Sequence, residues 1–377
     1  MAQLRKPGSI RIAAFLAVPL LTVVAVTGTL PAQAARALPA RSAAGLGWRI
    51  IRAIDVKDAT LNDVVAFGDG TAWAGGATPA QTPVLYHLIG GKWHAVALPG
   101  PTGSFVSNVD ASSSTNVWAA LANEPDVAHL TAHGWVLRSF PTGTDDILID
   151  GVVTTGPKNV WVFSYDFTTK LPHAYHYTGS SWTSTPLPAL VDGNSDTQLV
   201  SASSPDNIWA LAAKGSATLT MRYNGHKWQT FNLPPKIVPT GQTVFVRQIL
   251  AESVSNVWAT VYTAKGAAAG PIVLLHWNGH SWSKASGKAP TGALSGPIAP
   301  DGHGGVWLGA QSPSGAAFFL SYRNGIWTKD KSPVDAAGAL TLSALTLIPG
   351  TRSLFGVGDA GLSFGGDNGA FIVKYGR

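Results

Sequence analysis

The sequence predicts an all-β protein assembled from seven copies of one four-stranded unit. Three observations point there: a Trp-bearing motif recurs along the chain, a second Trp recurs in step with it, and the two chain ends carry complementary fragments of the unit. The first tryptophan stands in Ala72-Trp73-Ala74, Asn116-Val117-Trp118-Ala119, Asn159-Val160-Trp161-Val162, Asp206-Asn207-Ile208-Trp209-Ala210, Asn256-Val257-Trp258-Ala259 and Gly305-Val306-Trp307-Leu308. Phe355 takes its place in the seventh copy, and successive positions lie 45, 43, 48, 49, 49 and 48 residues apart. The second tryptophan stands at 48, 93, 135, 182, 228, 282 and 327. Self-similarity at this period is the mark of a β-propeller blade, because one small sheet cannot bury both of its faces and needs a neighbour on each side.

Each element of the unit follows from local chemistry, and the copy around Trp209 shows it. An apolar inner run, Leu199-Val200-Ser201-Ala202, comes first, and the Trp-bearing run Ile208 to Ala212 second. The third is the alternating run Leu219-Thr220-Met221-Arg222-Tyr223, and the fourth starts at Trp228-Gln229-Thr230-Phe231. Asn-Gly between the last two predicts a tight hairpin, since both residues accept positive φ. Leu98-Pro99, Phe140-Pro141, Leu187-Pro188 and Leu233-Pro234 end the outer strands, where a missing amide costs no ladder bond.

The ends predict how the ring closes. Phe371-Ile372-Val373-Lys374-Tyr375-Gly376 reads as a third strand stopped at its turn, and Gly47-Trp48-Arg49-Ile50-Ile51 as an orphan fourth strand. Their pairing in one blade removes two exposed sheet edges.

Composition agrees with a turn-rich β protein: of 377 residues 45% are hydrophobic and 12% charged, with 42 Gly and 25 Pro. Arg5, Lys6 and Arg11 precede an apolar run from Ile12 to about Val26, and Ala32-Gln33-Ala34 offers a small-x-small cleavage site. Residues 1–34 are therefore expected to be a secretory signal peptide, 35–46 a linker and 47–377 the propeller. Without an Arg-Arg pair, the general export route is expected. No further stretch is long and apolar enough to span a membrane. The chain has no Cys, which excludes lipoprotein anchoring, disulfides, Cys-ligated zinc, iron–sulfur clusters and thiol nucleophiles. The net charge of +6 includes three positive residues in the leader and leaves +3 on the mature chain, with no basic stripe, so nucleic acid is not an expected partner. A monomer is expected.

The units resemble degenerate kelch-type repeats. In that pattern an apolar second strand ends in Gly-Gly, then come an aromatic and a Trp about six residues later. Trp73-Ala74-Gly75-Gly76, Tyr86 and Trp93 match it, and Tyr177/Trp182, Tyr223/Trp228 and Tyr322/Trp327 keep its second half. The other units replace Gly-Gly by residues such as Ala119-Ala120 or Ala210-Leu211. The resemblance covers about residues 47–377 and is closest to exported propellers of actinomycetes. It implies blade architecture but no reaction. Copper catalysis of the galactose-oxidase type needs a Tyr cross-linked to Cys, which this chain cannot supply.

Candidate sites are sought where loops joining the second to the third strand, and the fourth strand to the next blade, share one face. Asp63, Asn108, Asp110, Gln198, Arg247 and Gln248 lie in or beside inner strands and could present polar groups to the channel, or be satisfied there without a ligand. Tyr165 and Phe167 are loop aromatics. Asp145, Asp146 and Asp150, with Asp192 and Asp196 in the next equivalent loop, are the densest carboxylates; oxygen ligands so spaced could hold calcium, or stand solvated. Asp150 is also a ligand candidate, whereas Asp206, Asn116, Asn159 and Asn256 read as turn caps. The Trp residues, Trp277 included, read as core. His226 and His280 share a hairpin-tip position, and no metal-binding His spacing occurs. The chain is expected to bind carbohydrate or protein, as a module or scaffold at or outside the cell envelope. The alternative is a hydrolase or lyase (lactonase-like, sialidase-like or polysaccharide-cleaving) working at the channel mouth.

Overall fold

The computed structural model describes residues 47–54, 59–122, 124–141, 147–166, 168–191, 199–214, 217–234, 237, 243–265, 268–290, 294–312, 317–333, 340–360 and 369–377. They form seven antiparallel sheets; six run in sequence order from inside to outside, the fourth with one extra short strand, and the seventh takes its outer strand from the start of the described chain. Every inner strand contacts the inner strand of the next blade, and the seventh contacts the first, which makes a closed ring. The expected seven-bladed propeller is therefore the fold. The unit around Trp209 falls where its residues place it, with strands Val200–Ser204, Asn207–Lys214, Ala217–Tyr223 and Trp228–Asn232. A short piece, Leu190–Val191, adds to the same second strand ahead of Val200. No helix among the described residues is long and apolar enough to cross a membrane.

Closure is the expected composite. The seventh sheet runs Leu340–Leu347, Leu354–Ala360, Gly369–Tyr375 and then Trp48–Ile54. Trp48 pairs with Tyr375, Ile50 with Val373 and Ile54 with Ala370, with a bulge between Ile50 and Arg52. Arg49 donates to the Gly376 carbonyl across this joint.

The two tryptophan series build the joints between blades. Second-strand rings are core: Trp118 and Trp209 are fully buried, and Trp73, Trp161, Trp258, Trp307 and Phe355 nearly so. In six of the blades the outer-strand indole meets the second-strand ring of the blade before it, edge to face. Trp135 meets Trp73 at 5.4 Å, Trp182 meets Trp118 at 6.1 Å, and Trp228 meets Trp161 at 5.8 Å. Trp282 meets Trp209 at 5.6 Å, Trp48 meets Trp307 at 5.6 Å and Trp93 meets Phe355 at 5.7 Å. Such edge-to-face pairs add about 0.5–1.5 kcal/mol each beyond area burial. Trp48 and Trp282 are buried in this role, while Trp93, Trp135, Trp182, Trp228 and Trp327 stay half-buried at the outer margin. Trp277 is core, as expected.

Two local features refine the sequence reading. Asn324 and Gly325 both take positive φ in a two-residue hairpin. At Asn224 and Asn278, however, the hairpin is wider and only the glycine has positive φ. There the Asn Oδ1 instead accepts from the backbone amides of His226 and Lys227, and of His280 and Ser281. The Gly75-Gly76 pair is required by close approach, since a Cβ on Gly75 would stand 2.4 Å from Val106 of the next blade.

Candidate functional site

The inner strands carry a repeated distortion. Register shifts between Leu61 and Asp63, Val106 and Asn108, Ile149 and Gly151, Val246 and Gln248, and Leu342 and Ala344 leave Asn62, Ser107, Asp150, Arg247 and Ser343 bulged at one level of the ring. An extra residue re-aims the side chain after it. At three of these places the next side chain, Asp63, Asn108 or Gln248, reaches sideways to the neighbouring blade. Asp63 Oδ2 accepts from the Val109 amide (2.9 Å) and from Asn108 Nδ2 (2.5 Å), while Asn108 Oδ1 accepts from the Val152 amide (2.7 Å). Gln248 Oε1 accepts from the Ile298 amide at 2.6 Å, and Ser201 Oγ from the Ala251 amide at 3.0 Å. Asp110 accepts from the Thr154 amide (2.7 Å), and Asp359 ties the seventh blade to the first through the Leu61 amide (3.2 Å).

These carboxyls sit in a medium that disfavours charge. Burial pushes Asp63 up to about 6 against its three hydrogen bonds, and Asp110 up to about 7, with the nearby Asp63 charge adding to the effect. Asp359 is raised to about 6 by burial. Perturbed acids can mark a catalytic site. Here their oxygens are occupied by neighbouring amides, so the arrangement holds blades together.

The histidines are also accounted for. His129, His176 and His276 each direct Nε2 at the Oδ1 of an Asn at the start of the second strand: Asn116 (3.0 Å), Asn159 (2.6 Å) and Asn256 (2.9 Å). At Asn116 and Asn159 the same oxygen accepts the indole N–H of Trp118 or Trp161, and the Asn amide donates to Ser112 or Thr155. The imidazole stacks on that indole: His129 on Trp118 and His87 on Trp73 at 3.8 Å, and His176 on Trp161 at 4.2 Å. Since the Asn oxygen only accepts, Nε2 carries the proton and Nδ1 is the acceptor. Burial holds these imidazoles below the usual histidine range, His129 at about 4. In the fourth blade Asn207 is the capping residue and accepts from Trp209 at 2.9 Å, so Asn207 rather than Asp206 matches Asn116. The His signal was present in the sequence, because His87, His129, His176 and His276 all stand six residues before the outer Trp.

An open groove lies between the third and fourth blades, with a volume of about 490 Å³. Thr183, Thr185 and Pro186 form one wall, Tyr223, Lys227 and Trp228 the other, and His176 lies between them. No residue proposed from sequence as a ligand lines it.

Of those residues, Asp63, Asn108 and Asp110 come together, as the latches just described. Asp150 and Arg247 share the bulge level on separate blades; the Asp150 side chain lies outside the described residues. Tyr165 is half-buried near the end of its strand, opposite Leu148 and Pro172. Phe167, Asp145, Asp146, Asp192 and Asp196 lie outside the described residues, as does Gln198. Among the described residues no cluster of three or more His, Asp or Glu could hold a metal ion. His226 and His280 occupy hairpin tips as expected.

No protein-family model and no curated protein matches this chain. Solved structures do. YCF48 bound to a D1 peptide has a TM-score of 0.58 at 15% identity, over 90% of this chain and 100% of that one; YCF48 from Cyanidioschyzon merolae gives the same score and identity over 88% and 98%. A catalytically inactive virginiamycin B lyase from Staphylococcus aureus with quinupristin gives 0.57 at 13% identity, over 86% and 99%. The WD40 propeller domain of Doa1 gives 0.55 at 12% identity, over 87% and 97%. At these identities the likeness establishes the fold alone.

Proposed function

We propose that the chain is an exported binding module that holds a segment of protein on one face of a rigid ring of degenerate kelch-like blades. The observation that carries this reading is an asymmetry. Buried polar groups of the inner strands are spent on fastening blades to one another, whereas the strand ends that bound five connections of eight residues or more, 98–105, 233–242, 285–293, 332–339 and 361–368, all lie on the same face. A rigid scaffold with variable connections gathered on one side is how repeat folds present recognition surfaces. Propellers of this shape include one solved with a bound peptide, which supports a peptide or protein ligand over the carbohydrate alternative. The leader at residues 1–34 motivates export.

The purified mature protein, applied in parallel to peptide and glycan arrays and to ester, lactone and polysaccharide hydrolysis assays, tests the reading. Saturable peptide binding without turnover is expected. Replacing residues 233–242 by a short Gly-Ser turn is expected to weaken it, while the same operation on the opposite turn 349–352 is not. Turnover of any substrate would make the lyase or hydrolase alternative the better account.

A further inference from the structure

The protein's own repeats supply an internal control for the groove between the third and fourth blades. At the joint before it, between the second and third blades, the same parts recur one for one: Trp118, His129, Asn116, Tyr177 and Trp182 stand for Trp161, His176, Asn159, Tyr223 and Trp228. The differences lie on the outer strand. Three residues after its Trp, the second blade has Arg138, opposite Val127, and the third blade has Thr185, opposite Ala174. Arg138 lies across the joint with its guanidinium over the Tyr177 ring at 5.5 Å, and its Nε donates to His129 Nδ1 at 3.0 Å. Phe140 fills the space beside it, 4.6 Å from Tyr175 and 5.8 Å from Trp182. At the joint after the groove the corresponding residue is Phe231, which packs on Trp277 at 4.8 Å. Where the side chain is the short Thr185, the cleft stays open.

We infer that this groove is a receptor slot for the guanidinium of an arginine in a partner peptide, which takes the place that Arg138 occupies at the preceding joint. The inference rests on the reading of the chain as a peptide-binding module and names one side chain that it recognises. His176 Nε2 is held by Asn159, which fixes the tautomer and leaves Nδ1 as an acceptor facing the position of the missing donor. Burial keeps that imidazole neutral at pH 7, as an acceptor must be. The Tyr223 ring is oriented by its hydroxyl, which donates to the Gly225 carbonyl at 2.9 Å just as Tyr177 donates to Gly179, and so offers the same face to a planar cation. Thr183 and Thr185 add hydroxyl acceptors on the opposite wall. Lys227 stands exposed on the rim, where solvent and salt screen its charge. Guanidinium fits better than ammonium because it is planar, weakly hydrated and stacks on aromatic faces.

The test titrates the purified protein with a capped Gly-Gly-Arg-Gly-Gly peptide, followed by indole fluorescence and by the NMR signals of His176. Matched peptides carry citrulline, lysine or phenylalanine in the central position. Saturable binding of the arginine peptide is expected, weaker by roughly fivefold or more for citrulline and for lysine. Thr185→Arg supplies the plug from within. It is expected to abolish peptide binding and to raise the melting temperature by about 2 °C. Arg138→Thr opens a second slot and is expected to double the stoichiometry, and Lys227→Glu to tighten binding. The inference is overturned if the arginine peptide does not saturate, if citrulline or phenylalanine binds as tightly, if Thr185→Arg binds peptide unchanged, or if Lys227→Glu weakens binding. None of these results bears on the face with the long connections, so the slot can fail while the binding-module reading stands.

Discussion

Removing residues 371–377 takes away the strand on which the ring closes, and the loss can be worked from the structure. Phe371, Ile372 and Val373 are at most 3% exposed, so their burial contributes about 6 kcal/mol at roughly 2 kcal/mol each. The same deletion strips Trp48–Ala53 of their ladder partners and leaves only Ala370 opposite Ile54, and this strand pairs with no other. Trp48 would then leave its stack on Phe319, at 3.6 Å, and its edge contact with Trp307. With a further Trp lost from the joint at about 3 kcal/mol or more, the total reaches the 5–15 kcal/mol that holds a typical domain together. The truncated protein is therefore expected to be insoluble or to show no cooperative melt. A milder cut, removing only Gly376 and Arg377, loses the Arg49 and Ser353 contacts to their carbonyls but keeps the strand, and is expected to fold. Soluble yield and differential scanning calorimetry on both truncations decide the matter. If the longer cut leaves a soluble protein melting cooperatively within a few degrees of the full chain, the seventh blade does not close the ring in the way described.

Asn207→Ala leaves the buried Trp209 indole N–H without its acceptor and is expected to cost about 1–3 kcal/mol, seen as a melting temperature lower by several degrees; an unchanged value would show that Asn207 is only a turn residue. Trp118→Ala, at a fully buried joint ring, is expected to cost about 3–5 kcal/mol in urea unfolding, more than Trp93→Ala at a half-buried one. pH acts through two sets of groups with opposite sign. Asp63, raised to about 6, contributes stability that is complete below its unfolded value of 3.8 and is lost as pH rises through 6. The lowered histidines contribute stability that is present above 6.5 and lost as pH falls toward the value of about 4 held by His129. Asp63→Asn removes the first effect, so acidification from pH 7 to 5 is expected to cost the variant about 1 kcal/mol more than the parent, read from melts at each pH. Expression with the native leader in a secreting host is expected to yield a product beginning near Ala35 by intact mass, and retention of residues 1–34 would refute cleavage.

The architecture was legible because each blade must present large rings to two neighbours, and that demand repeats Trp at fixed places in the chain. The same logic makes the closing blade visible from two fragments at opposite ends of the chain, Trp48 and Tyr375 being 327 residues apart. Less of the chemistry could be read. Asp63 and Asn108 follow strand positions that alternation would send to the channel, but a single bulged residue in each inner strand moves them out of step with that alternation and turns them to the next blade. In the fourth blade a turn carboxylate, Asp206, and the capping amide, Asn207, are adjacent, and only the indole bond to Asn207 separates their roles. The shared role of the stacked histidines is hidden in the sequence for a related reason. Read singly they are scattered over the chain, and their common role shows only when counted back from the outer Trp.

Counted the same way, the groove is marked by no reactive residue. Its distinguishing feature is a substitution within a repeat: the position three after the outer Trp holds Val96, Arg138, Thr185, Phe231, Ala285 and Asp330 in successive blades. In a fold where every joint is built from the same rings, departures from the repeat carry the information, since the shared residues are explained by packing. Arg138 and Phe231 show that a planar group on this wall is compatible with the rings behind it, and Thr185 leaves that place vacant beside an oriented imidazole and an uncovered phenol face. Ala285 is also small, but Ser286 bonds the hydroxyl of Tyr322 at 3.2 Å there, and Ala285 itself packs into the core between the fifth and sixth blades. The difference between the two small residues thus lies in what stands beside them, which is a property of the folded joint.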